Sequence, residues 1–204
     1  MVCSRCNAEV TLTNVYCNNC GQKLNSSKID NWKYAVINDG FNSIVGGLTW
    51  DICQSMGFEA YKNKQYYEAL EYYDRATKFK NSDQKIMSTL YNDLAITYQQ
   101  IGDKRNAMHY YDLAILSDPN NFSALSNRAG IKIQLEEGLG AIKDIDVLIN
   151  NSKMKPHTWF IYGAANEEIG FLEKARQAYE RAIAEGFNQA IPYLGDIIKK
   201  IHNS

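Results

Sequence analysis

Four segments of this chain repeat one pattern, in which a small residue is followed four and seven places later by apolar ones. They are Ala69-x-x-x-Tyr73-x-x-Ala76, Ala107-x-x-x-Tyr111-x-x-Ala114, Ala141-x-x-x-Ile145-x-x-Leu148 and Ala175-x-x-x-Tyr179-x-x-Ala182, at steps of 38, 34 and 34 residues. Twelve residues before each anchor stands Gly57, Ala95, Ala129 or Gly163, and four residues before that a large apolar slot, Cys53, Tyr91, Leu125 or Trp159. Spacings of three, four and seven put these side chains on one stripe of a helix. A small residue at a fixed place lets two helices of a hairpin cross closely. One such hairpin cannot bury its stripe alone, so the units must stack into a continuous core.

Thirty-four residues is the period of the tetratricopeptide repeat (TPR), and residues 50–189 resemble that family in four repeats, 50–83, 88–121, 122–155 and 156–189. Repeat 2 carries Leu94, Tyr98, Gly102 and Pro119 in register, with Pro119 ending its second helix. Repeat 3 departs from the pattern, with Arg128 and Lys132 at two usually apolar positions. The four extra residues between repeats 1 and 2 fall near Asn81 to Lys85, where a loop can absorb them. The expected fold is mainly all-α, a TPR-like right-handed solenoid of about four hairpins. Residues 190–204 supply a capping helix and tail. Pro192 opens that helix, Ile191, Leu194, Ile198 and Ile201 share its face, and Lys199 and Lys200 sit near its C-terminal dipole.

A second signal precedes the repeats. Cys3-Ser-Arg-Cys6 and Cys17-Asn-Asn-Cys20-Gly21 are separated by ten residues. Two residues between thiolates let one tight turn aim both sulfurs at an ion, and two such turns give a tetrahedral sulfur site suited to zinc. Val10 and Leu12 alternate with Thr11 and Thr13 as in a short strand, and Val15-Tyr16 can supply the returning one. So few apolar residues cannot offset the chain entropy, whereas structural zinc contributes on the order of 10–16 kcal/mol in small peptides. Residues 1–24 resemble the short β zinc ribbons at the N-termini of many bacterial proteins, with Asn7 and Ser4 where glycine and proline are common. One structural Zn²⁺ on Cys3, Cys6, Cys17 and Cys20 is expected. The rivals are a redox dithiol, a disulfide pair and an iron site. Four cysteine ligands leave no position for a reacting water.

Residues 25–49 are read as a linker or N-terminal cap: Asn25-Ser26-Ser27 is linker-like, but Trp32, Tyr34, Val36, Phe41 and Ile44 are too apolar for a free tether. The formal net charge of −1 gives no field to attract a polyanion. Residues 1–28 hold Arg5, Lys23 and Lys28 against Glu9, a net +2, which leaves −3 for the rest. No run of eighteen apolar residues reads as a membrane span, and the N-terminus lacks the pattern of a secretory signal. A cytoplasmic chain with reduced cysteines is the expectation.

The TPR resemblance implies a groove lined by the first helix of each hairpin. Its candidate contacts are Gln54, Phe58 and Tyr61 in repeat 1 and Asn92, Ile96 and Gln99 in repeat 2. Repeat 3 gives Asn127, and repeat 4 gives His157, Phe160 and Glu167. The Lys, Asn and Arg clamp by which some TPR domains grip a C-terminal carboxylate finds only Asn127 in agreement, so that mode is not expected. No phosphate loop, His-Glu-x-x-His or nucleophile set stands in context, and no catalytic residue is assigned. The function implied is a protein–protein interaction adaptor for a protein or peptide, able to form a homodimer through a solenoid end. The alternative is a nucleic-acid-associated regulator using the ribbon, which the sparse charge disfavours.

Overall fold

The computed structural model describes residues 50–79 and 83–203, and among these it forms nine α-helices and no strand. The ribbon expected over 1–24 and the linker or cap expected over 25–49 lie outside the described residues. Chain contacts divide the protein into two units, Met1–Asp103 and Lys104–Ser204.

The described part of the first unit holds α1 (Trp50–Lys62), α2 (Tyr66–Thr77) and α3 (Gln84–Gln100). The hairpin α1–α2 packs on α3 through both of its helices. Its core contains Cys53, Ala60, Ala69, Tyr73 and Ala76. The close crossing expected at Gly57 is present: a Cβ there would lie 2.6 Å from the Tyr73 ring. The α3 helix starts a full turn earlier than the repeat register implied. Asp83 caps it, its Oδ1 accepting from the amides of Lys85 (2.9 Å) and Ile86 (3.4 Å). Some of the extra residues assigned to a loop therefore lengthen α3 to 17 residues.

The second unit runs through α4 (Lys104–Ser117), α5 (Phe122–Gln134), α6 (Gly138–Asn150), α7 (Pro156–Glu168) and α8 (Leu172–Ala184). A 3-10 turn at Asn188–Ala190 leads into α9 (Ile191–His202). Each helix packs on the next, and α5 also touches α7. Asn121 caps α5 by accepting from the Ala124 amide at 3.0 Å, and Pro156 opens α7. The turn inside each hairpin has one residue with positive φ: Lys64 (59°), Gly102 (80°), Glu136 (59°) and Gly170 (81°). Those positions repeat the steps of the anchors. Glycine takes this conformation freely, whereas Lys64 and Glu136 do so against their Cβ atoms.

The irregular third repeat has a physical explanation. Asp144 of α6 is buried, and Arg128 of α5 grips it with two hydrogen bonds, Nε to Oδ2 at 2.9 Å and Nη2 to Oδ1 at 2.6 Å. Lys132 Nζ donates to the same Oδ2 at 2.8 Å and to the Gly140 carbonyl at 3.2 Å. A charge cluster thus takes the place of apolar packing between α5 and α6.

The face expected for the terminal helix needs correction. Ile197 is its fully buried residue, and Leu194 packs beside it on the cluster of Ala175, Tyr179, Ala182 and Ala190. Ile191 and Ile198 are exposed. The 3-10 turn buries Ala190 ahead of α9, which sets the packed stripe at 190, 194 and 197 and turns Ile191 outward. No helix among the described residues is long and apolar enough to cross a membrane.

Candidate functional site

In the first unit, Gln54, Phe58 and Tyr61 recur at four and three residues along α1 and so share one face. Phe58 is 52% exposed, with Lys62 Nζ 5.5 Å from its ring centroid. Tyr61 is half-buried, its ring 5.7 Å from that of Tyr66. On α3, Ile96 and Gln99 are half-buried and Asn92 is buried, 8% exposed. The Asn92 Oδ1 atom has no hydrogen-bond partner, which is costly for a buried carbonyl.

Sequence reasoning missed Asp93. Burial lifts its carboxyl to about 6, against the opposing effect of the Gln54 and Asn92 amides on its charged form. Its charge in turn contributes to raising the Tyr61 and Tyr73 hydroxyls, behind burial. An aspartate flanking a predicted groove amide was visible in the sequence, but burial belongs to the packed hairpin. The effect on stability has a definite sign. An unfolded aspartate titrates near ~4, below the folded value, so the protonated folded state is favoured in acid. This contribution is present in full below pH ~4 and is lost as pH rises through about 6. Asp93→Asn should remove that slope and raise unfolding free energy at pH 7.5 by about 2 kcal/mol. Urea unfolding of both proteins at pH 4.5 and 7.5 checks this; equal slopes would assign the pH dependence elsewhere.

In the second unit, Asn127 is half-buried on α5, and Ser126 Oγ lies 3.0 Å from Thr158 Oγ1 of α7. The three positions from repeat 4 meet the end of the chain. Phe160 is 5.2 Å from Phe187 and 4.9 Å from Tyr193 between ring centroids, and His157 stands edge-on to Phe187 at 5.5 Å. Partial desolvation lowers the His157 pKa below its ordinary value. Glu167 accepts from Tyr179 Oη at 2.8 Å and from Lys200 Nζ at 2.6 Å. Phe160 and Glu167 are therefore held by α9 and the turn before it, through contacts for which single helical stripes gave no signal. Among the described residues no group of three or more His, Cys, Asp or Glu could hold a metal ion. The four ribbon cysteines lie outside that set.

Helical hairpins stacked through alanine, glycine and tyrosine slots define a repeat protein of the helix–turn–helix class. Residues 88–121 match the family model of the tetratricopeptide repeat. Residues 88–121 thus carry a TPR repeat, and the described helical hairpins have the fold of TPR structures. Among solved structures, MamA from Desulfovibrio magneticus RS-1 superposes with a TM-score of 0.64 at 16% identity, over 74% of this chain and 85% of that one. The first TPR of Spaghetti (RPAP3), bound to the HSP90 peptide SRMEEVD, gives 0.55 at 22% identity, over 58% of this chain and 95% of that one. Superkiller protein 3 of Schizosaccharomyces pombe is 28% identical over 109 residues, 49% of this chain. The chain spans only 8% of the length of that curated relative. Repeats of this kind generally mediate contacts between proteins.

Proposed function

We propose that this protein is an interaction adaptor that holds a peptide or helix of a partner protein along the first-helix faces of its hairpins. The observation that carries the reading is the α1–α3 face of the first unit. It combines an exposed aromatic, Phe58, with the amides of Gln54, Asn92 and Gln99, a mixture suited to anchoring a side chain and bonding a peptide backbone. In this reading the domains follow the repeat register, 50–189, with 190–204 as cap and tail and 25–49 as a linker or N-terminal cap after the ribbon. The carboxylate clamp is not the mode proposed, because the positions matching its Lys, Asn and Arg hold Gln54, Phe58, Asn92, Ile96, His157 and Ile161, with Asn127 alone in agreement. Cross-linking and affinity purification from the native host test this reading. Phe58→Ala should deplete the partner captured by the wild-type chain at least tenfold. Unchanged capture would remove this face from the interaction.

The ribbon is the second module of the proposal. Four thiolates in two Cys-x-x-Cys turns match the donor set of a structural zinc. Purified protein should carry one Zn²⁺ per chain by elemental analysis, falling to near zero in Cys17→Ser, with the repeats still helical by circular dichroism. A chain that binds iron or no metal would overturn the assignment. The exposed Ile191, Tyr193 and Ile198 of α9 are the surface through which two copies would meet, and sedimentation across concentration tests that. We place the chain in the cytoplasm, where its cysteines stay reduced.

A further inference from the structure

The Asp93 cluster does more than complete a hairpin. In a protein interior a carboxylate is normally paired with a cation or neutralised. Among the described residues no Lys, Arg or His forms an ion pair with Asp93, although other carboxylates such as Asp144 and Glu167 are paired. Next to it, Asn92 is more than nine-tenths buried and its Oδ1 accepts nothing. The Asp93 carboxylate thus accepts only from neutral amides, those of Gln54 on α1 and of Asn92, while Asn92 Oδ1 accepts nothing. One turn along α1 from Gln54 stands the exposed Phe58 ring, which already has an ammonium, that of Lys62, close over it.

We propose that Asp93, the unpartnered carbonyl of Asn92 and Gln54 form a subsite for the cationic side chain, lysine or arginine, of a bound peptide. This rests on the peptide-binding reading of the α1–α3 face. An ammonium or guanidinium entering here donates to the half-buried Asp93 carboxylate and to the buried Asn92 Oδ1 together, with charge-assisted bonds. A neutral or acidic side chain would leave the carboxylate desolvated and unpaired. The stem of the cation lies along Phe58, as long basic side chains do on apolar surface. Specificity then comes from the cost of leaving Asp93 unmatched.

The titratable groups facing Asp93 are Tyr61 of α1 and Tyr73 of α2, both of whose hydroxyls stay protonated across the working range. Protonation of Asp93 is therefore the event that removes the negative charge, centred at about 6 in the free protein. A bound cation favours the ionised form, so binding weakens as pH falls through that region.

The test uses the full chain, wild type and Asp93→Asn, as bait for a random twelve-residue peptide display at pH 7.5. Recovered peptides are then measured by fluorescence anisotropy. Wild-type winners are expected to share a fixed Lys or Arg. Replacing it with norleucine or citrulline should weaken binding at least tenfold, and Asp93→Asn should do the same. The two changes together should cost no more than either alone, and wild-type affinity should fall between pH 7.5 and 5. Urea unfolding of Asp93→Asn establishes that the variant is folded. Winners without a shared basic residue, or bound equally by Asp93→Asn, overturn the cationic subsite while leaving the peptide-binding face standing. Winners that lose affinity with Phe58→Ala but not with Asp93→Asn do the same. A display that enriches no peptide overturns both.

Discussion

Asp144→Ala is expected to lower unfolding free energy by about 4 kcal/mol. Asp144 is buried in α6 with 6% of its side chain exposed, and the two cations that grip it, Arg128 and Lys132, are 17% and 14% exposed. Removing the carboxylate leaves two positive charges largely desolvated between α5 and α6 without their shared partner. Asp112 of α4 can retain only one edge of the Arg128 guanidinium, at 2.7 Å from Nη1, and its own side chain is 57% exposed and screened. The sign reverses when the whole cluster is replaced. Arg128→Leu/Lys132→Met/Asp144→Leu restores the apolar pattern of the other repeats and is expected to match or exceed wild-type stability. Urea unfolding followed by circular dichroism distinguishes the two variants. A small loss in Asp144→Ala would mean that water reaches the cluster. A large loss in the triple variant would mean that the charges fix the helix register, beyond balancing one another.

Gly163→Val is expected to cost about 3 kcal/mol through overpacking. A Cβ at Gly163 would meet Cδ1 and Cε1 of Tyr179 at 2.6 Å. The ring has nowhere to go. It is fully buried, its hydroxyl is tied to Glu167, and Phe160 and Tyr193 flank it at 5.7 and 5.9 Å between centroids. Gly163→Ala should lose less, because alanine gains about 1 kcal/mol of helix propensity over glycine. Repeat 3 supplies the control, since Ala129 and Ile145 occupy the equivalent slots of its core cluster. Gly163→Ala/Tyr179→Ile should therefore recover part of the loss of Gly163→Ala, as thermal unfolding will report. A double variant worse than either single one would show that the Tyr179–Glu167 bond, more than the ring's volume, sets the packing.

Both effects concern places where the sequence announced a position but not its occupant's partner. The 34-residue step of Ala107, Ala141 and Ala175 fixed the hairpin register, because small residues at fixed spacing admit few ways for helices to cross. The same reading flagged Arg128 and Lys132 as misfits, and Asp144, sixteen and twelve residues later, gave no helical-stripe signal. The extra turn of α3 was misassigned because loop and helix compete locally there and the Asp83 cap decided between them. Likewise, periodicity alone fits two adjacent stripes of α9, and the 3-10 turn at Asn188–Ala190 chose the one bearing Ile197.

The sequence by itself determined the repeat, the helix pairs and the close crossings at Gly57 and Gly163, since these follow from period, side-chain size and helical geometry. Tertiary structure alone decided which polar groups are desolvated. Asp93 acquires its unmatched charge, Asn92 its unpartnered carbonyl and Glu167 its contact with Lys200 only when separate helices meet. Burial and electrostatic pairing are properties of neighbours in space, and one residue's place in a helical stripe does not specify them.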